Sequence, residues 1–192
     1  MRAFVMSMGL LAAAATLGTA PVARAADAYA IDPAHTSVVF KIDHLGFTSI
    51  YGRFNEVAGE FTIDAEKPES SSFDITINTD SVDTGNAKRE EHLKSPDFFN
   101  AKQFPTITFK STSVAKTEKG LKVEGDLTLH GETKPVSFVL TGGKTGEFPK
   151  DVQRTGYSTE FSIKRSDFGM DKMAPAAGDE VVLLIGFEGT KP

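Results

Sequence analysis

The sequence predicts an all-β protein, because apolar and polar residues alternate with period two in many segments and no long helical stripe is present. Such alternation is typical of strands that bury one face and leave the other in water. Strand-length runs fall at 38–43, 73–78, 107–109, 121–129, 136–140, 157–164 and 181–187. Around eight antiparallel strands in one domain must close into a barrel or stack as a sandwich, and periodicity alone does not choose between these architectures.

Glycines mark turns and bends in this pattern. His130-Gly131 and Lys119-Gly120 each separate two strand-like runs, as hairpin turns do. Gly52, Gly59 and Gly125 lie inside strand-like runs, where a glycine often marks a bulge or the sharp bend of a barrel corner. The glycine positions therefore agree with short strands joined by tight connections.

One polar segment interrupts the β pattern. Residues 86–94 have the composition of a short helix, and Pro96 cannot continue it. We therefore expect a short helical segment between two strands. No internal repeat or linker divides the chain, so residues 26–192 are expected to form one domain.

The first 25 residues are typical of a secretory signal peptide. Arg2 gives a positive start, residues 3–17 are apolar and uncharged, and Ala23-Arg24-Ala25 is a small-x-small cleavage site. The apolar run is shorter than the ~20 residues that a membrane span needs. A lipoprotein anchor would need a cysteine, and the chain has none. We therefore expect cleavage near Ala25 and an exported, soluble product.

Composition argues against several function classes. Removal of the leader changes the formal net charge from −5 to −7 and leaves no basic run, so neither nucleic acid nor an anionic membrane surface is an expected partner. The absence of cysteine removes disulfides, thiol catalysis and thiolate metal sites. Stability must then come from a large core. The fourteen phenylalanines that follow the leader can supply one.

Two strings imitate catalytic motifs without the context that the chemistry needs. Gly142-Gly143-Lys144-Thr145 resembles the end of a phosphate-binding loop, but Phe138 stands where the first glycine would fall and no helix follows, so we expect an exposed loop. Asp167-Phe168-Gly169 matches a kinase magnesium motif without the other kinase motifs. No G-x-S-x-G string is present either. We therefore predict no catalytic residues and no enzyme.

The four histidines give no local metal motif. No two of His35, His44, His92 and His130 stand three or four residues apart, the spacing from which zinc sites usually draw two ligands. A metal site assembled from distant residues would leave no such trace, but hydrogen-bonded histidines at strand ends are the stronger interpretation. We predict neither a metal nor a cofactor.

Four segments together resemble the YceI-like family of periplasmic lipid- or polyisoprenoid-binding proteins. They are YAIDPAHTSVVFKIDHLGFTSIYGRFNEVAGEF at 29–61, KREEHLKSPDFFNAKQFPTITFKSTSV at 88–114, VEGDLTLHGETKPVSF at 123–138, and KRSDFGMD at 164–171 followed by GDEVVLLIGFE at 178–188. These segments follow one another in the expected order and cover essentially the whole chain after the leader. No single string is specific, but the combination is.

The resemblance implies an extended, lipocalin-like antiparallel β-barrel of about eight strands, with a short helical segment between strands and an internal apolar tunnel. It implies a periplasmic protein that binds a polyisoprenoid, a quinone tail or a fatty-acid-like lipid, and that often accompanies a b-type membrane cytochrome. The leading hypothesis is therefore a carrier or sequestering protein. The alternatives are a stress-related interaction domain with a filled core and an enzyme on a barrel scaffold. Nothing in the sequence indicates the oligomeric state.

Alternation assigns side chains to the barrel interior, and large apolar residues at strand ends could line the tunnel mouth or plug it. The predicted ligand-binding residues are Phe40, Ile42, Leu45, Phe47, Phe54, Phe99, Phe109, Phe138, Phe161, Phe168 and Met170. Leu127 and Ile163 are also expected to point inward. Arg53, Arg89 and His92 lie near these residues in the sequence and are candidates for head-group contacts. Ion pairs with nearby acids are an equally good interpretation of all three.

Overall fold

The computed structural model describes residues 26–191, so the predicted signal peptide lies outside the described residues. Within them, the helix α1 spans Ala87–Lys94. The strand segments are β1 (Asp27–Ile31), β2 (Ser37–His44), β3 (Thr48–Phe54), β4 (Val57–Ile63), β5 (Ser72–Asn78), β6 (Val82–Asp83), β7 (Thr106–Thr117), β8 (Gly120–Leu129), β9 (Glu132–Glu147), β10 (Gln153–Lys164) and β11 (Ala177–Lys191). In this part of the chain no helix has the length and hydropathy needed to cross a membrane.

The strand segments form one closed antiparallel barrel of eight strands. One end of β11 pairs with β1, which pairs with β4, which in turn pairs with β5. The other end of β11 pairs with β2, which pairs with β3, which in turn pairs with β6. Three strands of the barrel are therefore interrupted and consist of two segments each, namely β1 with β2, β3 with β4, and β5 with β6. β7 to β11 follow β5 as successive neighbours, and β11 closes the ring on β1. The predicted all-β antiparallel barrel with a short helical segment is confirmed.

Antiparallel pairing sorts the connections to the two ends of the barrel. The connections at one end, which we call the mouth end, are 45–47, 84–105, 130–131 and 165–176. Those at the other, which we call the closed end, are 64–71, 118–119 and 148–152. The helix α1 belongs to the mouth end, because it lies in the 84–105 connection.

Aromatic side chains fill the closed end. Phe61 is only 1% exposed and stacks on Tyr29 and Phe73, with ring centroids 5.3 and 5.6 Å away. The rings of Tyr157 and Phe187 meet Phe61 edge-on at 6.3 and 5.4 Å. These separations are in the range that aromatic pairs prefer. The cluster therefore packs the barrel densely at this end.

The local predictions for the hairpin turn and the helix are confirmed. His130 and Gly131 have φ values of +53° and +81°, the left-handed pair that a type I′ hairpin needs. The helix α1 begins after Asn86, whose side-chain oxygen accepts a hydrogen bond from the N–H of Arg89 at 3.1 Å. It ends before Pro96, as expected.

The segment at 142–145 is largely exposed, as predicted, but the prediction of a loop is wrong, because the segment lies within β9. Gly142 and Gly143 have φ values of +103° and +82°. The register between β9 and β10 shifts at Gly156 and Tyr157. The two glycines absorb this bulge with backbone angles that other residues rarely adopt, so the strand continues through the segment.

An ion-pair network links the connection between β1 and β2 to the strands β10 and β11. Arg154 Nη1 donates to Asp32 Oδ2 at 2.5 Å and to Glu188 Oε2 at 3.1 Å. His35 Nδ1 lies 2.8 Å from the same Asp32 oxygen. The Asp32, His35 and Glu188 atoms converge as metal ligands could, but the Arg154 guanidinium bridges the two carboxylates. The hydrogen bonds from Arg154 and His35 lower the pKa of Asp32 from 3.8 to about 2.

Asp32→Asn should remove an acid-sensitive part of the stability. Because the folded pKa of Asp32 lies below its unfolded value, the carboxylate stabilises the fold above about pH 4, and this contribution is lost as the pH falls towards 2. We expect the variant to be on the order of 1–2 kcal/mol less stable at neutral pH. Urea unfolding at about pH 6 and about pH 2.5 measures the difference, which should shrink at the lower pH. A difference of equal size at both pH values would contradict this role of Asp32.

Candidate functional site: a one-ended apolar cavity

An apolar cavity of about 420 Å³ occupies the barrel interior between the mouth and the aromatic cluster. All eight strands contribute to its wall, almost entirely through aliphatic and aromatic side chains. Its volume falls in the range of ~300–1,000 Å³ that is usual for small-molecule sites. Phe73 and Phe187 of the closed-end cluster also line it and form its floor.

The rings on the inner face show that this half of the barrel is hollow. Phe138 lies against Phe109 and Phe161, with ring centroids 5.3 and 4.7 Å apart. All three point inward, yet each is only partly buried. In a filled core they would be as inaccessible as Phe61. Their remaining exposure is to the cavity.

Two inward-facing glycines keep the cavity wide. The Phe40 ring covers Gly52 on the neighbouring strand, where a Cβ would lie 2.2 Å from Phe40 Cζ. The Phe109 ring covers Gly125 in the same way, and the nearest ring carbons would lie 2.6 Å from a Cβ. Of these two glycines only Gly125 lies opposite a bulge, at the register shift between Ser111 and Ser113. Because both rings lie flat on glycine, they do not project into the lumen.

The cavity opens at the mouth end. Within the described chain, the lining residues that are exposed are Asp43, His44, His92 and Met173. Asp43 and His44 end β2, His92 lies on α1, and Met173 lies in the 165–176 connection. All four therefore belong to one end of the barrel. The site is a blind pocket with an opening opposite its aromatic floor.

Arg165 fixes the backbone beside this opening. The side chain is 4% exposed, and its guanidinium donates to the carbonyl oxygens of Met170, Lys172, Ala177 and Gly178. The Nε–Gly178 O and Nη2–Ala177 O distances are 2.8 and 3.0 Å. The planar guanidinium holds its N–H donors in a fixed geometry, so one arginine side chain can bind several backbone carbonyl groups at once. Sequence reasoning missed Arg165, because backbone acceptors leave no signal in a sequence.

Arg89 and His92 place polar groups at the outer part of the cavity. Arg89 donates from Nε to Thr84 Oγ1 at 2.9 Å and from Nη2 to the Thr84 carbonyl at 2.8 Å. Among residues 26–191, no carboxylate forms an ion pair with Arg89. His92 Nε2 lies 3.3 Å from Asp97 Oδ2, and this contact lowers the pKa of Asp97. The Arg89 cation therefore faces the cavity without a counter-ion.

Most of the residues predicted to contact ligand lie on the cavity wall. Those that line it are Phe40, Ile42, Phe54, Phe99, Phe109, Phe138, Phe161 and Met170. Leu127 and Ile163 line it too, as alternation predicted. Sequence reasoning missed Ile75, Ile77 and Leu183, although the alternation in β5 and β11 could have identified them. Ligand contact by any of these residues stays a prediction.

Four predicted site residues do not line the cavity. Leu45 and Phe47 are 52% and 85% exposed, because the β2–β3 turn carries them beyond the barrel wall. Phe168 is 1% exposed and packs within the core instead. Arg53 lies on the outer face of β3, where it pairs in register with Asp83, because its neighbours in the strand point inward.

The fold and the pocket together define a calyx-type β-barrel, a barrel that is closed at one end and open to an apolar interior at the other. The model of the YceI-like domain matches residues 29–188. The chain belongs to the YceI-like family, as the sequence resemblance indicated.

Relatives and solved structures agree with this membership. The chain is 40% identical over 187 residues to a UPF0312 protein of Pseudomonas aeruginosa, covering 96% of this chain and 97% of that one. It is 42% identical over 157 residues to the protein YceI of Escherichia coli, covering 82% of each. A Campylobacter jejuni YceI structure matches with a TM-score of 0.70 and 30% identity, over 79% of this chain and 91% of that one. A polyisoprenoid-binding domain from Saccharophagus degradans has the same fold, with a TM-score of 0.62 and 16% identity over 85% and 98%.

Phe161→Trp tests whether the interior is hollow. Because the larger ring can enter the cavity, we expect the free energy of unfolding to change by less than about 1 kcal/mol. Phe61→Trp is the matched control, since the same enlargement in the filled closed end should cost ~1–3 kcal/mol. Urea unfolding of the two variants beside wild type measures both effects. An equal loss of stability in the two variants would contradict a hollow mouth-end half.

Proposed function

We propose that this protein binds one long-chain amphiphile, with its tail in the cavity and its polar head at the mouth. The observation that carries the proposal is the blind apolar pocket, open at one end. Each buried methylene contributes ~0.8 kcal/mol. Ten of them would give ~8 kcal/mol before the costs of association. An apolar chain therefore has ample driving force here without a dedicated polar site.

The ligand class is supported by comparison as well as by geometry. The Saccharophagus degradans domain with this fold is a polyisoprenoid-binding domain. The resemblance to the YceI-like family implies the same class, a polyisoprenoid, a quinone tail or a fatty-acid-like lipid. We propose that this protein takes a ligand of that class.

Arg89 and His92 are the proposed head-group contacts. A guanidinium offers only donors, so its complement is a carboxylate, a phosphate or a quinone carbonyl. Arg89 lines the cavity and lacks an ion-pair partner within the described residues. Arg53 is not a candidate, since it lies on the outer face of the barrel.

We propose a role in carriage or sequestration in the periplasm, after export directed by the leader. The b-type membrane cytochrome that the family resemblance implies would be a partner that uses an isoprenoid such as a quinone. The proposed role is binding rather than catalysis, since the cavity wall is formed almost entirely by aliphatic and aromatic side chains. A stress-related interaction domain would need a filled core, whereas the cavity leaves the interior of the mouth-end half of this barrel partly empty.

Arg89→Gln should separate acidic from neutral ligands. Loss of a charge-assisted hydrogen bond should weaken binding of a fluorescent fatty acid about tenfold. Binding of a pyrene-labelled polyprenol should change by less than about twofold, because its head carries no charge. Fluorescence titration gives both affinities, and thermal unfolding checks that the variant is folded.

Arg53→Gln is the matched control and should leave both affinities unchanged, because this side chain lies outside the barrel. Equal weakening of both probes by Arg89→Gln would contradict the head-group position. Failure of wild type to bind either probe would contradict the proposed function.

A further inference from the structure

Large apolar side chains project into solvent at the mouth. Leu45 and Phe47, at the tip of the β2–β3 turn, are 52% and 85% exposed, and Met173, in the 165–176 connection, is 50% exposed. The two connections are joined, because the N–H of Leu45 donates to the carbonyl of Ala176 at 3.0 Å. The three side chains therefore lie on neighbouring parts of the rim. We call Leu45, Phe47 and Met173 the rim patch.

The backbone gives no reason for apolar residues in the rim patch. Leu45 and Met173 have φ values of +57° and +61°, a conformation that is unfavourable for residues with a Cβ. In residues 26–191, the other non-glycine residues with positive φ are Asn100, His130 and Asp151. Those three are of the types that tolerate this conformation best. Glycine or asparagine would suit the turns better, so the apolar side chains themselves call for an explanation.

The rim is also free of charge along two stretches of chain. Residues 45–52 read LGFTSIYG and residues 173–178 read MAPAAG, although charged residues make up 24% of the sequence. The charged residues nearest to these stretches in the sequence do not form a cluster of one sign. They are Asp43, Arg53, Lys172 and Asp179. The chemistry that matches an uncharged apolar patch is a neutral, water-poor surface.

We propose that the rim patch docks on the surface of a phospholipid bilayer, so that ligand enters the cavity directly from the membrane. This inference rests on the proposed function, since it takes the ligand to be a lipid. Met173 belongs to the rim patch and also lines the cavity. An apolar path therefore runs from the docked surface into the pocket. Because residues 45–52 and 173–178 carry no cation, docking by the rim patch needs no anionic lipid and is insensitive to salt.

The rate of ligand uptake from vesicles tests the docking. We would follow transfer of anthroyloxy-labelled stearic acid, and separately of pyrene-labelled polyprenol, from phosphatidylcholine vesicles to the full-length mature protein. Wild-type rates should rise in proportion to vesicle concentration and should not change with salt. The double variant Leu45→Ser/Phe47→Ser should transfer probe about tenfold more slowly. Its Kd for probe delivered from ethanol should stay within about twofold of wild type, because neither Leu45 nor Phe47 lines the cavity.

The chain offers a matched control and a rescue. Phe148 is 75% exposed but lies in a closed-end connection, so Phe148→Ser should leave the transfer rate unchanged. Phe47→Trp should keep the wild-type rate, because tryptophan favours the membrane interface.

The outcomes separate the two proposals. A double variant with the wild-type transfer rate and the wild-type Kd would overturn docking by the rim patch and leave lipid binding intact. Transfer that needs anionic vesicles and disappears in high salt would also overturn it. Failure of wild type to take up either probe from ethanol would overturn the proposed function, and with it this inference.

Discussion

The hollow half of the barrel depends on the aromatic cluster that fills the other half. Side chains around an empty cavity lose dispersion contacts on one side, so the fold must gain its packing elsewhere. Phe61 and its four aromatic neighbours provide that packing at the closed end. The same rings end the cavity, because Phe73 and Phe187 form its floor. One cluster therefore both stabilises the barrel and gives the pocket its single opening.

The mouth is held by backbone interactions and not by packing alone. Arg165 binds four carbonyl groups of the 170–178 segment, and the Leu45 N–H binds a fifth carbonyl, that of Ala176. These contacts fix the connection between β10 and β11 against the β2–β3 turn. An apolar rim can then remain exposed without collapsing into the cavity beneath it.

The alternation of apolar and polar residues predicts which side chains face the interior, but it does not predict which strands pair. Phe138 and Phe161 could be assigned to the interior because a strand must put alternate side chains on one face, whatever its neighbours are. The choice between a barrel and a sandwich depends on the pairing of β11 with β1. This is a contact between the first and the last strand, and no local pattern in the sequence shows it. The sequence predicts a loop at 142–145, whereas its glycines accommodate a bulge, a feature that also depends on the neighbouring strand. The sequence predicts Leu45 and Phe47 as pocket residues because large apolar side chains at strand ends can line a mouth, and the turn instead leaves them exposed to solvent.

The central claim is that the cavity holds the chain of a lipid. Protein purified without detergent and measured by native mass spectrometry, followed by mass spectrometry of its organic extract, tests this most directly. We expect a complex with one long-chain amphiphile per protein and recovery of that amphiphile in the extract. A protein that carries only its own mass and yields no lipid, even after incubation with membrane lipid extracts, would contradict it.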